Sequence, residues 1–170
     1  MHLTTYLEYA EMDYRLFVGC YDAGFVTNPM GSLAQNGCEK YMKHLISELY
    51  TPETKFDKKL TRDVLREHEL GIIQDFLKEK LGFEFSADAQ YDMGYIDGFY
   101  MSARYPGITG DLLDEEDMAH CLSAITKCRE ESLAFLEQSK TIVDNIIKDA
   151  AARACDRPDA HGISVDAPEL

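Results

Sequence analysis

The segment 31–49, GSLAQNGCEKYMKHLISEL, decides the fold class of this chain. Its apolar residues recur every three or four positions, as they do on one face of an α-helix. These residues are Ala34, Cys38, Tyr41, Leu45 and Leu49. Ser32 stands where a helix N-cap is expected, and Thr51-Pro52 stops the helix because proline cannot continue it. We therefore predict a helix from about residue 31 to residue 49.

Four other segments carry the same helical repeat. They cover approximately residues 3–22, 61–81 and 86–105, and a last stretch that begins near residue 114 and continues beyond residue 146. Asn28-Pro29 separates the first two helices, Gly82 stands where a C′ glycine belongs, and Pro106 ends the fourth helix. We therefore predict an all-α, up-and-down bundle of four to five helices with a long C-terminal helix.

The length of 170 residues suits one ordinary domain, which we assign to residues 1–152. Residues 153–170 are predicted to form a disordered tail, because they contain two prolines and Gly162 and show no helical repeat. The N-terminus lacks a basic region followed by an apolar core, and no apolar run approaches the roughly 20 residues of a membrane span. We therefore expect a cytoplasmic protein without a membrane partner.

The chain is strongly acidic, with 17 Lys and Arg against 31 Asp and Glu and a formal net charge of −14. Such a surface repels phosphate backbones, which disfavours a general nucleic-acid coat protein and favours a basic protein partner. One acidic run is interpreted as the first turn of the last helix, where carboxylates cap free N–H groups. This run contains Asp111, Asp114, Glu115, Glu116 and Asp117.

No metal or cofactor site is predicted. A di-metal carboxylate bundle needs Glu-x-x-His on two helices and further inward glutamates, whereas this chain offers Asp117-x-x-His120 once. The cysteines are odd in number and lack the two-residue spacing of zinc or redox motifs, so we interpret them as small, reduced core residues. They are Cys20, Cys38, Cys121, Cys128 and Cys155.

Arg104, Tyr105 and Tyr91 are the candidate ligand-binding residues. A guanidinium group suits a phosphate, and tyrosine rings can stack on a nucleobase. The alternative interpretation is structural. Arg104 then complements the carbonyl end of a helix dipole, and the aromatic residues Tyr91, Tyr95 and Phe99 belong to the core because they repeat at helical spacing.

Three segments, in this order along the chain, are similar to one known family. Segment 33–46 resembles the second helix of HEPN domains, in which an alanine–glutamine start leads to Glu-Lys and an apolar end. Segment 60–64 resembles the start of the third HEPN helix, although a position that is often His holds Arg62 here. Segment 103–107 is similar to the Arg-Tyr-Pro element before the last HEPN helix. The order of elements matches over approximately residues 2–148.

The resemblance implies a helical bundle that commonly forms homodimers and occurs in prokaryotic defence, toxin–antitoxin and nucleotide-linked systems. Many HEPN proteins are metal-independent ribonucleases with an arginine followed four to six residues later by a histidine. In such sites the histidine acts as acid or base on the 2′-hydroxyl, and the arginine stabilises the phosphorane charge. Here the matching window after Arg104 holds Ile108, Thr109 and Gly110, and the nearest histidine is His120.

Arg62 and His68 form one other pair with the spacing of that signature. If both lie on the third predicted helix, six steps of 100° place them about 120° apart around its axis. His68 also falls in line with Val64 and Ile72, so a core or boundary histidine is the alternative interpretation. Arg62, His68 and Arg104 are therefore weak catalytic candidates.

We expect a HEPN-like dimeric binding or regulatory module, linked to a nucleotide or RNA and without catalysis of its own. A nucleotidyltransferase-type protein is the basic partner that the resemblance and the acidic surface favour. The alternatives are a metal-independent ribonuclease of the toxin or defence type and a structural adaptor.

Overall fold

The computed structural model describes residues 5–102 and 112–155, and every regular element within these ranges is an α-helix. The helices are α1 (Tyr6–Asp22), α2 (Asn28–Leu49), α3 (Lys55–Val64), α4 (Leu70–Leu81), α5 (Ala87–Ile96), α6 (Phe99–Ser102) and α7 (Glu115–Cys155). The predicted all-α class with a long C-terminal helix is confirmed. None of the described helices combines the length and the apolar character that a membrane crossing requires.

Helix α2 is the centre of the bundle. It packs against α1, α4, α5 and α6, and 14 of its 22 residues are buried. Burial around most of a helix's circumference is typical of a central helix rather than a surface helix. The core that surrounds α2 includes Met118, Cys121 and Ile125 of α7. The repeat in segment 31–49 therefore identified the helix against which α1, α4, α5 and α6 pack.

Gly37 lets α2 approach α7 closely. A Cβ atom at this position would lie 2.5 Å from Cδ1 and 3.0 Å from Cγ1 of Ile125, which is fully buried. Real Cβ contacts are longer than this, so a side chain at residue 37 would force the packed side chain of Ile125 to move.

Several helix ends follow from local side-chain chemistry. The acidic start of α7 is confirmed, because Asp114 accepts hydrogen bonds from the backbone N–H groups of Glu116 and Asp117, while Asp117 accepts one from the N–H of Asp114. Gly82 follows α4 with a φ angle of 64°, the left-handed conformation expected of a C′ glycine. Asp111 lies outside the described residues.

The second helix begins at Asn28, earlier than predicted, and Ser32 is a buried residue inside it rather than its cap. Asn28-Pro29 was expected to break the chain before this helix. Instead, Pro29 occupies the first helical turn, where its missing N–H has no intrahelical partner to lose.

The single helix predicted over residues 61–81 is wrong, because the chain leaves the helical conformation between Val64 and Leu70. The carboxylate of Glu67 accepts hydrogen bonds from the backbone N–H groups of His68 (2.8 Å) and Glu69 (3.2 Å), which satisfies donors just before α4. The fourth predicted helix is also divided, because Gly98 adopts a φ angle of 102° between α5 and α6.

The chain divides into two compact units between Glu137 and Gln138. The second unit contains the C-terminal part of α7, in which Ile142, Val143, Ile146 and Ile147 are exposed. Residues 153–155 were predicted to belong to the tail, but they are part of helix α7, because no glycine or proline precedes them to end the helix. The rest of the predicted tail, residues 156–170, lies outside the described residues.

The cysteine prediction is confirmed where the structure tests it. Cys38, Cys121 and Cys128 are buried free thiols of the core, and Cys20 is half-buried. Burial raises the pKa of the Cys121 thiol to about 12, which keeps it protonated. The side chain of Cys155 lies outside the described part of the structure.

Candidate functional site

Two histidines of the described chain are each held by a buried or nearly buried carboxylate. Nδ1 of His68 lies 3.0 Å from Oε2 of Glu39, and Nδ1 of His120 lies 2.8 Å from Oδ1 of Asp92. A carboxylate in this position accepts the Nδ1 proton and orients the ring, so Nε2 becomes the acceptor of the neutral imidazole. Both pairs therefore have a defined orientation, and their surroundings distinguish them.

The His68 pair borders a cavity of about 520 Å³. The walls come from α2, the α3–α4 loop, the α5–α6 junction and α6, so the break that separates α3 from α4 creates one side of the cavity. The described lining residues are Gln35, Glu67, His68, Glu69, Asp97, Gly98, Tyr100 and Met101.

Gln35 connects three walls of this cavity. Its side chain is only 2% exposed. Nε2 donates to the carbonyl oxygen of His68 (3.0 Å) and to Oδ1 of Asp97 (3.2 Å), while Oε1 accepts from the backbone N–H of Tyr100 (2.7 Å). A single buried amide with its polar atoms bonded in this way holds the α3–α4 loop and the start of α6 in register with α2.

A buried ion pair lies behind His68. Nζ of Lys43 donates to Oε1 of Glu39 (2.6 Å), and the two side chains are 3% and 9% exposed. The same ammonium donates to the carbonyl oxygen of Glu67 (2.6 Å). Glu39 thus uses one oxygen for Lys43 and the other for His68, which satisfies a charge that would otherwise be costly to bury.

The His68 ring stacks on Tyr100. The ring centroids are 5.1 Å apart and the planes differ by 7°, a nearly parallel arrangement. Both residues line the cavity, and the side chain of His68 is 55% exposed. The cavity therefore has an aromatic wall that remains open on the side of the histidine.

The other charged groups of the cavity are carboxylates. Backbone N–H groups of His68 and Glu69 hold the pKa of Glu67 below its usual range, and Asp97 accepts from the N–H of Gly71 (3.2 Å). Among the described residues that line the cavity, none is Arg or Lys. This described lining therefore favours a cation and disfavours a phosphate.

The His120 pair has a different setting, because Asp92 contacts three polar side chains of α7. Its Oδ2 accepts from the hydroxyl of Ser123 (2.5 Å) and from Nζ of Lys127 (2.9 Å), in addition to the bond between Oδ1 and His120. Burial raises the pKa of Asp92, but the bonds from Ser123, His120 and Lys127 together outweigh burial and hold it below its ordinary value. Asp92 therefore ties α5 to α7 as a charged group.

Tyrosine rings cover His120. Tyr95 stacks on it with centroids 4.1 Å apart, and Tyr91 lies at 5.8 Å. Ser123 and His120 both bond to Asp92 rather than to each other, so this Asp, His and Ser do not form the chain of nucleophile, base and orienting group that activates a serine. The arrangement supports the packing of α5 on α7.

The structure separates the predicted pair of Arg62 and His68. Arg62 belongs to α3, is exposed and lies beside Asp63, with 3.7 Å between Nε and Oδ1. It is not among the residues lining the cavity. His68 lies in the following loop, so the angle of 120° around one helix does not apply. Its side chain is 55% exposed, so His68 is not a core residue.

The interpretation of Tyr91 and Tyr95 as core residues is also wrong, since both are exposed and Tyr91 is 66% exposed. The buried face of α5 is shifted by one position and includes Asp92 and Met93. Asp92 can face inward because three donors of α7 meet it there. Arg104 and Tyr105, the other candidate ligand-binding residues, lie outside the described residues.

Sequence reasoning missed the polar residues that build the cavity. Gln35, Glu39 and Lys43 recur every four residues along α2, a helix whose other inward positions are mostly apolar. That spacing places them on one side of the helix, so a polar stripe on a central helix was the available signal. Asp97 and Tyr100 had no comparable signal.

In residues 5–102 and 112–155, no group of three or more His, Cys, Asp or Glu side chains is arranged to hold a metal ion. Comparison of the whole chain with protein-family models, curated proteins and solved structures finds no match.

Proposed function

We propose that this protein is a HEPN-like dimeric binding or regulatory module that works with a basic, nucleotidyltransferase-type protein partner in a nucleotide- or RNA-linked system and has no catalysis of its own. The observation that carries the proposal is the composition of the His68 cavity. A histidine oriented by Glu39 stands there among the carboxylates of Glu67, Glu69 and Asp97.

This composition opposes metal-independent RNA cleavage. Such cleavage needs a base near the 2′-hydroxyl and a positive group at the place where phosphorane charge develops. The described lining of the cavity supplies a base in His68, but the charged groups around it are negative and repel a phosphate. Arg104 remains the proposed contact for a ligand's phosphate group, together with Tyr105 and Tyr91.

A basic protein partner fits the same charges. The formal net charge of −14 draws a basic protein toward this chain over long range, and the carboxylates of the cavity give that attraction a local target. The binding function therefore uses the acidic character that opposes RNA capture.

Exposed aliphatic side chains support the proposed dimer. Ile142, Val143, Ile146 and Ile147 lie at adjacent and four-residue spacings in the second unit, so they form one apolar face of the helix. Light scattering at micromolar concentration is expected to give twice the chain mass of 19.3 kDa. A monomer at that concentration contradicts the dimer.

A cleavage assay on single-stranded RNA in EDTA tests the absence of catalysis. We compare the wild type with His68→Ala and Arg104→Ala, and with Arg15→Ala as a matched exposed-arginine control. The expected result is no cleavage above background for any of the four proteins. Cleavage by the wild type that is lost in His68→Ala at an unchanged melting temperature would establish a ribonuclease and overturn the proposal. Loss in Arg104→Ala alone would place a catalytic group near that arginine and overturn it equally.

A further inference from the structure

We propose that the His68 cavity binds the guanidinium group of an arginine side chain presented by a protein partner. This inference rests on the proposed binding function and names the chemistry of the partner at that site. Carboxylates by themselves make only a solvated acidic surface. The cavity and its parallel aromatic rings are the separate observations that select a flat cation.

The aromatic wall provides the first half of the recognition. His68 and Tyr100 lie nearly parallel, with 7° between their planes, and both line a cavity of about 520 Å³. A guanidinium group is planar and weakly hydrated, so it stacks on aromatic faces more readily than a compact ammonium group does. The wall therefore distinguishes arginine from lysine by shape.

The carboxylates provide the second half. Each oxygen of Asp97 already accepts one hydrogen bond, from Gln35 and Gly71, and a carboxylate has about four acceptor positions. Glu69 lines the cavity and is exposed. Its carboxylate accepts no hydrogen bond from a side chain among the described residues. Free acceptor positions around the cavity match the five N–H donors of a guanidinium group.

Hydrogen bonds that hold the cavity residues in place reduce the entropic cost of ligand binding. Gln35 fixes the backbone of His68 and Tyr100, and Glu39 fixes the His68 ring, before any ligand arrives. Acceptors and rings that are already in place lose little conformational entropy when a side chain inserts. The same charges oppose a nucleotide, because its phosphate meets Glu69 and Asp97.

Nuclear magnetic resonance of the histidine rings tests the inference in the full-length protein. The probes are N-acetyl-arginine amide, N-acetyl-lysine amide and AMP, and the His68 signals are identified by their loss in His68→Ala. We expect the arginine probe to shift the His68 signals in a saturable way, with an affinity about tenfold higher than that of the lysine probe. AMP is expected to leave these signals unchanged.

Two variants connect the response to the cavity. Glu69→Gln is expected to weaken the affinity for the arginine probe about three- to tenfold. Glu53→Gln removes another exposed charge, from the loop before α3, and is expected to leave that affinity unchanged. Tyr100→Leu is expected to reduce the preference for arginine over lysine, while the backbone N–H that bonds to Gln35 is retained.

The inference is overturned if arginine and lysine probes bind equally, because simple charge attraction then explains the response. Equal weakening by Glu69→Gln and Glu53→Gln also overturns it. A selective response to AMP does so as well and assigns the cavity to a nucleotide. The cleavage assay tests the proposed function separately. If the protein neither binds the arginine probe nor cleaves RNA, the arginine inference is wrong but the proposed binding function is not contradicted.

Discussion

His68 and His120 show how one type of side-chain pair takes two roles in the same fold. Each histidine uses Nδ1 to contact a carboxylate that is 9% exposed, yet the His68 side chain is 55% exposed and that of His120 is 23% exposed. Asp92 meets three donors from one helix, α7, whereas Glu39 divides its oxygens between a buried lysine and the histidine.

This comparison shows that the secondary structure around each histidine–carboxylate pair determines whether the histidine can contact a ligand. His120 lies within a long helix, where Tyr95 covers one face of the ring. His68 lies in a loop between two helices, where the chain turns away and leaves space beside the ring. A histidine oriented by a carboxylate is therefore a candidate for ligand contact only where the backbone leaves room for a ligand.

The largest expected effect belongs to the ion pair behind His68. Glu39→Gln leaves the ammonium of Lys43 buried without its counter-charge, because that side chain is 3% exposed. We expect the free energy of unfolding to fall by about 3–5 kcal/mol, measured by urea denaturation. Glu48→Gln, at an exposed position near the end of the same helix, is the control. Equal effects of the two variants would show that the pair behind His68 does not hold the fold.

Asp92→Asn should have the next largest effect. The variant weakens three hydrogen bonds to a charged acceptor, but Lys127 is 35% exposed and can turn toward water. We therefore expect a loss of about 2–3 kcal/mol in the same measurement, smaller than that of Glu39→Gln. Asp88→Asn, on the exposed side of α5, is the control. A loss larger than that of Glu39→Gln would reverse the ranking of the two sites.

The pH dependence of the same variant sharpens this result. The pKa of Asp92 is lower in the folded protein than its ordinary value of 3.8, so its carboxylate stabilises the fold above the unfolded pKa. That contribution is lost as the pH falls through the lower, folded pKa. The difference in unfolding free energy between wild type and Asp92→Asn should stay level from pH 7 to about pH 5 and shrink below about pH 4. A difference that shrinks already between pH 7 and pH 5 would identify another group as its source.

Alanine substitution of the two histidines compares the sites directly and should have the smallest effects. His120→Ala removes a half-buried ring that stacks on Tyr95, and we expect a loss of about 1–2 kcal/mol. His68→Ala removes a more exposed ring, and we expect a loss below about 1 kcal/mol. Thermal unfolding of both variants checks the order. A greater loss for His68→Ala would make His68 a structural residue and would weaken its assignment to a binding cavity.

Regular patterns along the chain predicted most of the fold. The repeat of α2 is continuous because that helix is buried on several sides, and the acidic start of α7 follows from local capping. The break before α4 was missed because neither glycine nor proline marks it. The side chain of Glu67 closes that turn instead, and the capping pair of Thr54 and Asp57 was the signal that α3 begins earlier than predicted.

The candidate site was less accessible to sequence reasoning because its contacts are distant along the chain. His68 entered the prediction through its spacing from Arg62, but its partners Glu39 and Gln35 lie 29 and 33 residues away. From the sequence alone, the charged residue Asp92 is expected to face solvent. It is buried because three side chains of α7 contact its carboxylate. Burial of such a charge depends on the tertiary structure, which a helical repeat does not encode.

The hydrogen bonds of Gln35 make the cavity a scaffold for redesign. This amide holds His68 and Tyr100 through their backbone atoms, so the identity of either side chain can change without loss of the anchor. An engineer seeking a different ligand would retain residue 35 and vary residues 69 and 100, which carry charge and ring shape. Support and recognition are thus encoded at separate positions, so a change of ligand-contacting side chains leaves the hydrogen bonds that frame the cavity in place.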